Sequence, residues 1–270
     1  MRSAAFILTF GFIAAILVSG CDSVDVAGSG RFVRPTVSVY FVNGTEAGFG
    51  KSQASFDVIL NVVTISGQDY SPDSVRVDDA VETEVTFDLV LPPDSVYGFR
   101  VVFRQDGRLA GEGGVLQLVT EETSQINIPV VSAGDEPWFA ILPSMVDMRT
   151  ASASDSVSLQ MRYYGDARNV AGLAARFDVN GPHPVSMNFQ GVVFDTLSSS
   201  QVSLAWQFDE PVSGVTDVGI IRVPLSQIAE FCLGTPSDTQ ALPSVETRIV
   251  NQEGEITIIG GSGACIDVKE

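Results

Sequence analysis

This chain of 270 residues is poor in lysine, histidine and cysteine, and each shortage makes certain functions of the protein less plausible. Lys51 and Lys269 are its only lysines beside thirteen arginines, and 33 acidic residues leave a formal charge of −18. A body this acidic repels nucleic acid, so we exclude nucleic acid as a partner. Many carboxylates with few lysines are typical of a hydrated acidic surface that stays soluble in salt-rich surroundings.

The shortage of histidine argues against an enzyme. The one histidine, His183, lies between Pro182 and Pro184, where the restricted backbone favours a turn. A histidine base needs a nucleophile and an orienting group, and no nucleophile elbow is present. A carboxylate pair could hydrolyse glycosides, but none is marked among so many acidic residues, so a glycoside hydrolase is the least favoured alternative. We predict no catalytic residue and no cofactor.

Metal ligands are also scarce. Asp73, Asp78 and Asp79 cluster in the sequence but lack the glycine and the graded oxygen spacing of a calcium loop. We interpret them as solvated surface. Three cysteines without a nearby histidine do not make a zinc site, so we predict no bound metal.

The N-terminus has the pattern of an export signal. Arg2 precedes an apolar run from Ala4 to Val18, which at about fifteen residues is short for a membrane-spanning helix. The following Ser19-Gly20-Cys21 resembles the lipobox of bacterial lipoproteins, whose cysteine receives a diacylglycerol before cleavage and a further acyl chain afterwards. This resemblance implies a signal peptide over residues 1–20 and a lipidated (for example palmitoylated) Cys21. The alternative is an ordinary signal peptide with a coincidental cysteine.

Lipid at Cys21 is the only membrane anchor that the sequence offers, because no later segment is apolar for eighteen residues. We predict an extracytoplasmic protein tied to the cell membrane or the outer membrane. Loss of Arg2 with the signal peptide takes the mature charge to −19. Residues 21–30 are small and polar, and we interpret them as a flexible tether.

The two remaining cysteines agree with export. Cys232 and Cys265 are predicted to form a disulfide in an oxidising compartment. Closing that loop would stabilise the fold by about 3–4 kcal/mol on the chain-entropy model. The alternative is two separate buried thiols.

Alternation of apolar and polar residues dominates the mature chain, and no long amphipathic helix is evident. In the first half, strands are predicted at 36–42, 55–63, 84–91, 99–104, 114–119 and 124–130. Asp106-Gly107 predicts a tight hairpin turn after Gln105. This density of short strands over residues 31–132 predicts an immunoglobulin-like β-sandwich, with a transthyretin-like topology as the alternative.

The segment Val131–Pro137 is interpreted as a linker, and a second series of strands follows it. Strands are predicted at 157–163, 173–179, 192–196, 202–208, 218–224, 245–250 and 255–259. The first of them places Ser158, Gln160 and Arg162 outside. Alternation on one side is typical of antiparallel sheets with one packed and one wet face, so residues 138–270 are predicted to form a second sandwich. The fold class is therefore all-β, with two tandem β-sandwiches.

This second half resembles the cohesin-like family of jelly-roll sandwiches, which share their architecture with some carbohydrate-binding modules. The matching segments are Ser154-Asp155-Ser156-Val157, Ala171–Val179, Val212-Ser213-Gly214 and Gln252–Ile256. Asn180-Gly181-Pro182 departs from the Tyr-Asp-Pro that usually follows the strand matched by Ala171–Val179, and the cysteine pair is no family hallmark. The resemblance implies recognition of a protein or a sugar on a sheet face, without chemistry, and transfers no set of binding residues.

Aromatic residues decide whether a sugar platform exists. Trp206 has the parity of Val202 and Leu204, so we predict that it is buried. Tyr164 points away from Tyr163 and is predicted to be exposed. Trp138 is predicted to pack at the junction of the two domains.

We therefore predict a membrane-anchored envelope lipoprotein without enzyme activity, acting as a binding or adhesion module for a protein or polysaccharide partner. A structural or assembly component of the cell envelope is the alternative. The ligand residues are not identified by the sequence.

Overall fold

We analysed a computed structural model of the chain. It describes residues 32–42, 55–78, 87, 89–133, 137–149, 156–165, 169–180, 188–198, 200–212, 214–225, 230–235 and 242–269. These residues form strands, turns and loops without any helix, which confirms the predicted all-β class. None of the described segments is therefore a helix able to cross a membrane.

The described residues form eighteen strands. Those of the first half are β1 (Thr36–Phe41), β2 (Ser55–Thr64), β3 (Val75–Asp78), β4 (Ser95–Gln105), β5 (Arg108–Val119) and β6 (Gln125–Ser132). Those of the second half are β7 (Trp138–Leu142), β8 (Met145–Arg149), β9 (Ser156–Tyr164), β10 (Val170–Asn180), β11 (Asn188–Gln190), β12 (Phe194–Leu197), β13 (Gln201–Val212), β14 (Thr216–Pro224), β15 (Glu230–Leu233), β16 (Glu246–Asn251), β17 (Ile256–Ser262) and β18 (Ala264–Lys269).

In the first half, strands are hydrogen-bonded in the order β3-β2-β4-β5-β6-β1, with β1 parallel to β6. Their alternate apolar side chains enclose one core, which includes Val37, Phe56, Phe99 and Ile128. The predicted turn closes the β4–β5 hairpin, where Asp106 and Gly107 have φ of 50° and 76°. Both positive values are those that a tight hairpin turn demands.

In the second half, two sheets pack face to face over a second core. The front sheet has the strand order β12-β13-β10-β16-β17, and the back sheet has the order β11-β14-β9-β7-β17. Strand β17 belongs to both, because residues 256–259 pair with β16 and residues 260–262 pair with β7. A Cβ on Gly260 would lie 2.0 Å from a ring carbon of Trp138, so only glycine lets β17 pass this ring.

One strand is shared by the two halves. Along one edge β5 pairs with β4; along the other it pairs with β6 through Gly111–Gly113 and then with β8 through Val115–Gln117. β8 continues through β18 and β15 to the end of β10, so one sheet runs from the first half into the second.

The two cores lie on opposite faces of this shared sheet. Val115 belongs to the core of the first half, whereas its neighbour Leu116 belongs to the core of the second. Successive residues of a strand point to opposite faces, so β5 serves both cores at once. The halves are therefore joined by hydrogen bonds and packing as well as by the chain.

Most predicted strands are present, with three differences. The predicted linker is wrong for Val131 and Ser132, which are buried members of β6. In the segment 84–91, the described Phe87 and Leu89 are buried but not in a strand, and Leu91 forms an isolated bridge with Val33. β3, β7, β8, β11, β15 and β18 were not predicted. The domain limits themselves stay a prediction.

Candidate functional site

The outer face of the front sheet presents the strongest candidate binding surface. Residues directly opposite each other in a ladder share one face, and the registers define rows across all five strands. One row reads Phe194, Ala205, Ala174, Arg248 and Ile258 from β12 to β17. The row beside it reads Gln207, Gly172, Val250 and Ile256 from β13 to β17.

The middle of this face is low and its margins are apolar. Gly172, Ala174 and Ala205 put no more than a methyl group above β10 and β13. Phe194 at one margin is 55% exposed, and Ile256 and Ile258 at the other are 66% and 70% exposed. Single exposed apolar residues are normal, but here three large ones lie on one face, separated by the small residues of β10 and β13 and by Val250 and Arg248 of β16, and together they form a patch suited to a partner. We call this surface the front face.

The front face is about 19 Å wide, which is four interstrand spacings of about 4.8 Å. Within the paired rows its charged residues, Arg176, Asp178, Glu246 and Arg248, cancel to zero in a chain of net charge −18, and the exposed Asp209 of β13 lies just beyond the row of Gln207. Arg248 donates to Glu246 over 2.6 Å, which ties up one charge of each sign. The front face is therefore an electrically neutral, partly apolar area on a strongly acidic protein.

Hydrogen bonds fix one end of the front face. The hydroxyl of Thr235 donates to Asp178 over 2.8 Å, and the amide of Gln201 donates to its other oxygen over 3.2 Å. These two bonds, with a smaller effect of Arg176, lower the pKa of Asp178. The carboxylate stays ionised and joins β10, β13 and the segment after β15 at this edge.

The aromatic predictions are partly confirmed. Trp206 is buried in the core against Phe139, and Trp138 packs with Val131 of the first half at the junction. The prediction for Tyr164 is wrong, because its side chain is fully buried. Its outward direction in β9 is as expected, but the first half covers that side of the back sheet.

A buried ion network occupies the junction. Glu112 of β5 is fully buried, although its side chain points away from the core of the first half. It accepts hydrogen bonds from Arg100 over 2.9 Å, from the hydroxyl of Tyr164 over 2.8 Å, and from Arg162. Arg162 also donates to Asp217 over 2.5 Å. The network thus links β4 and β5 of the first half to β9 and β14 of the second.

The pKa shifts show that this network is held ionised. Burial raises the pKa of Glu112, but Arg162 and Arg100 outweigh burial, so the pKa lies below its ordinary value. Burial and the adjacent Glu112 carboxylate raise the pKa of Tyr164 well above its ordinary value, which keeps it a neutral donor. Arg162 was predicted to lie outside, yet its side chain is only 11% exposed. We interpret the network as a structural joint, because its carboxylates are occupied by cations.

The structure contains the Cys232–Cys265 disulfide, which joins opposed residues of β15 and β18. Other predicted positions lie outside the described residues: Cys21, Asp79 and His183. Asp73 is exposed. No group of three metal-ligating side chains occurs in the described part of the chain.

Sequence reasoning missed the front face. Its outward apolar residues in β17, Ile256 and Ile258, alternate with the same period of two as buried residues do, so alternation alone does not predict that they are exposed. The signal present in the sequence was the small outward set of Gly172, Ala174 and Ala205, which has meaning only once β10 and β13 are known to be neighbours.

Fold and surface together describe an all-β protein of two joined β-sandwiches, the second of which exposes a partly apolar sheet face. No family model matches the chain, and no curated protein matches it.

Solved structures with similar backbones include cohesin modules and pilins. A non-cellulosomal cohesin of Archaeoglobus fulgidus is 7% identical with a TM-score of 0.36, over 50% of this chain and 92% of that one. A cohesin of Clostridium acetobutylicum is 9% identical with a TM-score of 0.32, over 50% and 92%. The major pilin subunit of Bacillus cereus is 8% identical with a TM-score of 0.32, over 88% and 70%. Likeness at this level brings no binding residue to this chain.

Proposed function

We propose that this chain is an extracytoplasmic lipoprotein, anchored through Cys21, whose second half binds a protein partner on the front face. The observation that carries the binding function is the exposure of Phe194 at one margin of the front sheet and of Ile256 and Ile258 at the other, with small residues on β10 and β13 between them. Export and lipidation rest on the sequence of the first 21 residues.

A protein partner fits the front face better than a polysaccharide. Sugars are bound by stacking on exposed aromatic rings, and the front face offers the single ring of Phe194. Trp206 and Tyr164, the rings that a sugar would otherwise use, are buried. Between the margins, the low strands leave room for one secondary-structure element, because a helix with its side chains is about 10–12 Å across. The partner is therefore expected to offer an apolar, uncharged segment.

Photo-crosslinking in the cell that makes the protein tests this surface. A photoreactive phenylalanine is placed at Phe194, at Ile258, and at Ile65 as the control. Ile65 is 36% exposed at the end of β2 in the first half, far from the front sheet in the topology. We expect the same protein adduct from the two front-face positions and none from Ile65.

The crosslinked protein is then identified and purified, and its binding to variants of this chain tests the role of the apolar margin. Ile258→Glu places a charge in the apolar margin and is expected to abolish saturable binding, whereas Ile65→Glu is expected to retain it. Equal binding by both variants, or adducts in equal yield from all three positions, would contradict the proposal. Retained binding of a glycan by Ile258→Glu would instead favour a sugar site elsewhere.

The anchor is tested separately. Mass spectrometry of the membrane fraction is expected to find acyl chains on Cys21 as the first residue, and Cys21→Ser is expected to release the protein from the membrane. An unmodified thiol at Cys21 refutes the anchor without bearing on the front face.

A structural or assembly role in the envelope is supported by a different observation. The shared strand β5 and the Glu112 network make the two halves one continuous body, as a spacer requires. Loss of envelope integrity on deletion, unchanged by Ile258→Glu, would favour this role over partner binding.

A further inference from the structure

The end of the first half that follows the anchor segment carries a small amphipathic patch. Val33 and Leu91 form an antiparallel bridge with hydrogen bonds of 2.9 and 3.0 Å, and both side chains pack toward the core. Alternate residues of an extended segment point to opposite sides, so Phe32, Arg34 and Val90 share the outer side of this bridge.

The exposure of these residues agrees with that placement. Phe32 is 61% exposed, Val90 is 38% exposed, and Arg34 is exposed between them in the bridge register. Phe32 is an aromatic side chain without a polar group, so removing it from water would be favourable. We call this set the bridge patch.

The chain itself indicates what covers the patch. Residues 22–31 separate Cys21 from Phe32, and fully extended they span at most about 40 Å. A lipid held at Cys21 therefore keeps the bridge patch within reach of the bilayer at all times. Contact then becomes an intramolecular step, which needs far less binding energy than capture from solution.

Local charge supports the same partner. The protein as a whole is repelled by anionic lipid, and the anchor segment carries Asp22 and Asp25, but the charged residues beside Phe32 itself are Arg31 and Arg34. A guanidinium has five donors in a planar fork, so it can bind a phosphate while keeping another interaction. Aromatic and arginine side chains together suit the interfacial region of a bilayer.

From these observations we infer that the bridge patch rests on the phospholipid surface, with Phe32 and Val90 in the interfacial region and Arg34 on lipid phosphate. The inference builds on the proposed anchor at Cys21. It orients the molecule with the first half on the membrane.

Depth-dependent fluorescence quenching tests the inference on the mature chain 21–270. Its one thiol outside the disulfide, Cys21, is coupled to a maleimide lipid in vesicles of phosphatidylethanolamine and phosphatidylglycerol doped with dibrominated phosphatidylcholine. Chemical coupling supplies the anchor, so the result does not depend on whether cells lipidate this cysteine. Phe32→Trp and Val90→Trp report on the patch, and Phe194→Trp is the matched control of similar exposure on the front face.

We expect brominated lipid to quench the added tryptophan at positions 32 and 90 but not at position 194, each measured against the unsubstituted chain. Adding Arg34→Glu is expected to reduce quenching at position 32 by severalfold. Absence of quenching at position 32, or equal quenching at positions 32 and 194, would overturn the inference even if mass spectrometry finds Cys21 acylated. The inference would also be overturned if Phe32→Ser, added to the tethered Val90→Trp variant, left the quenching at position 90 unchanged.

Discussion

Replacing Glu112 by glutamine should test the joint between the two halves most sharply. The substitution keeps the shape of the side chain but removes the negative charge that Arg100 and Arg162 share. Glutamine replaces one carboxylate oxygen by an NH2 group, which is a donor and therefore cannot accept the hydrogen bond from the arginine that it faces. A buried arginine then loses its main counter-ion.

The magnitude follows from the burial of the group. Breaking a buried ion pair by removing one partner costs about 3–5 kcal/mol. Arg162 keeps Asp217 at 2.5 Å, and glutamine still offers one oxygen to Tyr164, so we expect the lower end, about 3 kcal/mol. For a chain of this size, that corresponds to a fall in Tm of about 6–12 °C.

The assay is urea and thermal unfolding followed by near-ultraviolet circular dichroism. The matched control is Arg248→Gln, which breaks the half-exposed pair with Glu246 on the front face and should cost less than about 1 kcal/mol. A Glu112→Gln variant no less stable than this control would refute the view that the buried network holds the halves together.

Three further outcomes are expected. The difference in unfolding free energy between the wild type and Glu112→Gln should shrink as pH falls below about 4.5. The pKa of Glu112 is lower in the folded state than in the unfolded state, so the stabilisation by its carboxylate is present above the unfolded-state pKa and is lost as pH falls below it. A constant difference from pH 7 to acid would contradict this. Replacing both Cys232 and Cys265 by serine should lower the unfolding free energy by about 3–4 kcal/mol in urea, given their sequence separation of 33 residues, and an unchanged midpoint would count against it. Leu116→Ala should cost about 2–5 kcal/mol and lower hydrogen-exchange protection in β2 and β13 together; an effect confined to one half would show that the shared sheet does not couple them.

Within each sandwich, the sequence predicts well which side chains of a strand point into the core and where a turn follows. The inward positions of β9, β10 and β13 follow directly from alternation, including the burial of Trp206. The hairpin turn at Asp106-Gly107 follows from local backbone chemistry. These features depend on neighbours in the chain or on one local core.

What the sequence could not predict depends on contacts between the halves. Alternation places Arg162 and Tyr164 on the outer side of the back sheet, which is correct, but it cannot tell whether a second body covers that side. Glu112 likewise lies between glycines in Gly111–Gly114, a stretch whose weak pattern gave no hint of a buried charge. β8, β15 and β18 are short strands of the shared sheet, and several of their residues are buried by that sheet rather than marked by a clear period of two.

The shared sheet also matters for how the proposed anchor and the proposed binding surface would work together. A flexible linker between sandwiches would let the front face turn freely toward or away from the membrane. Here β5 pairs with strands of both halves, and Glu112 holds Arg162 across the junction, so changing the angle between the halves breaks ladder hydrogen bonds and exposes a buried charge. The direction of the front face is therefore fixed by the fold wherever the first half is fixed. A variant that loosens the joint should keep its affinity for a partner in solution and lose it selectively at the membrane, because orientation and not the contact surface has changed.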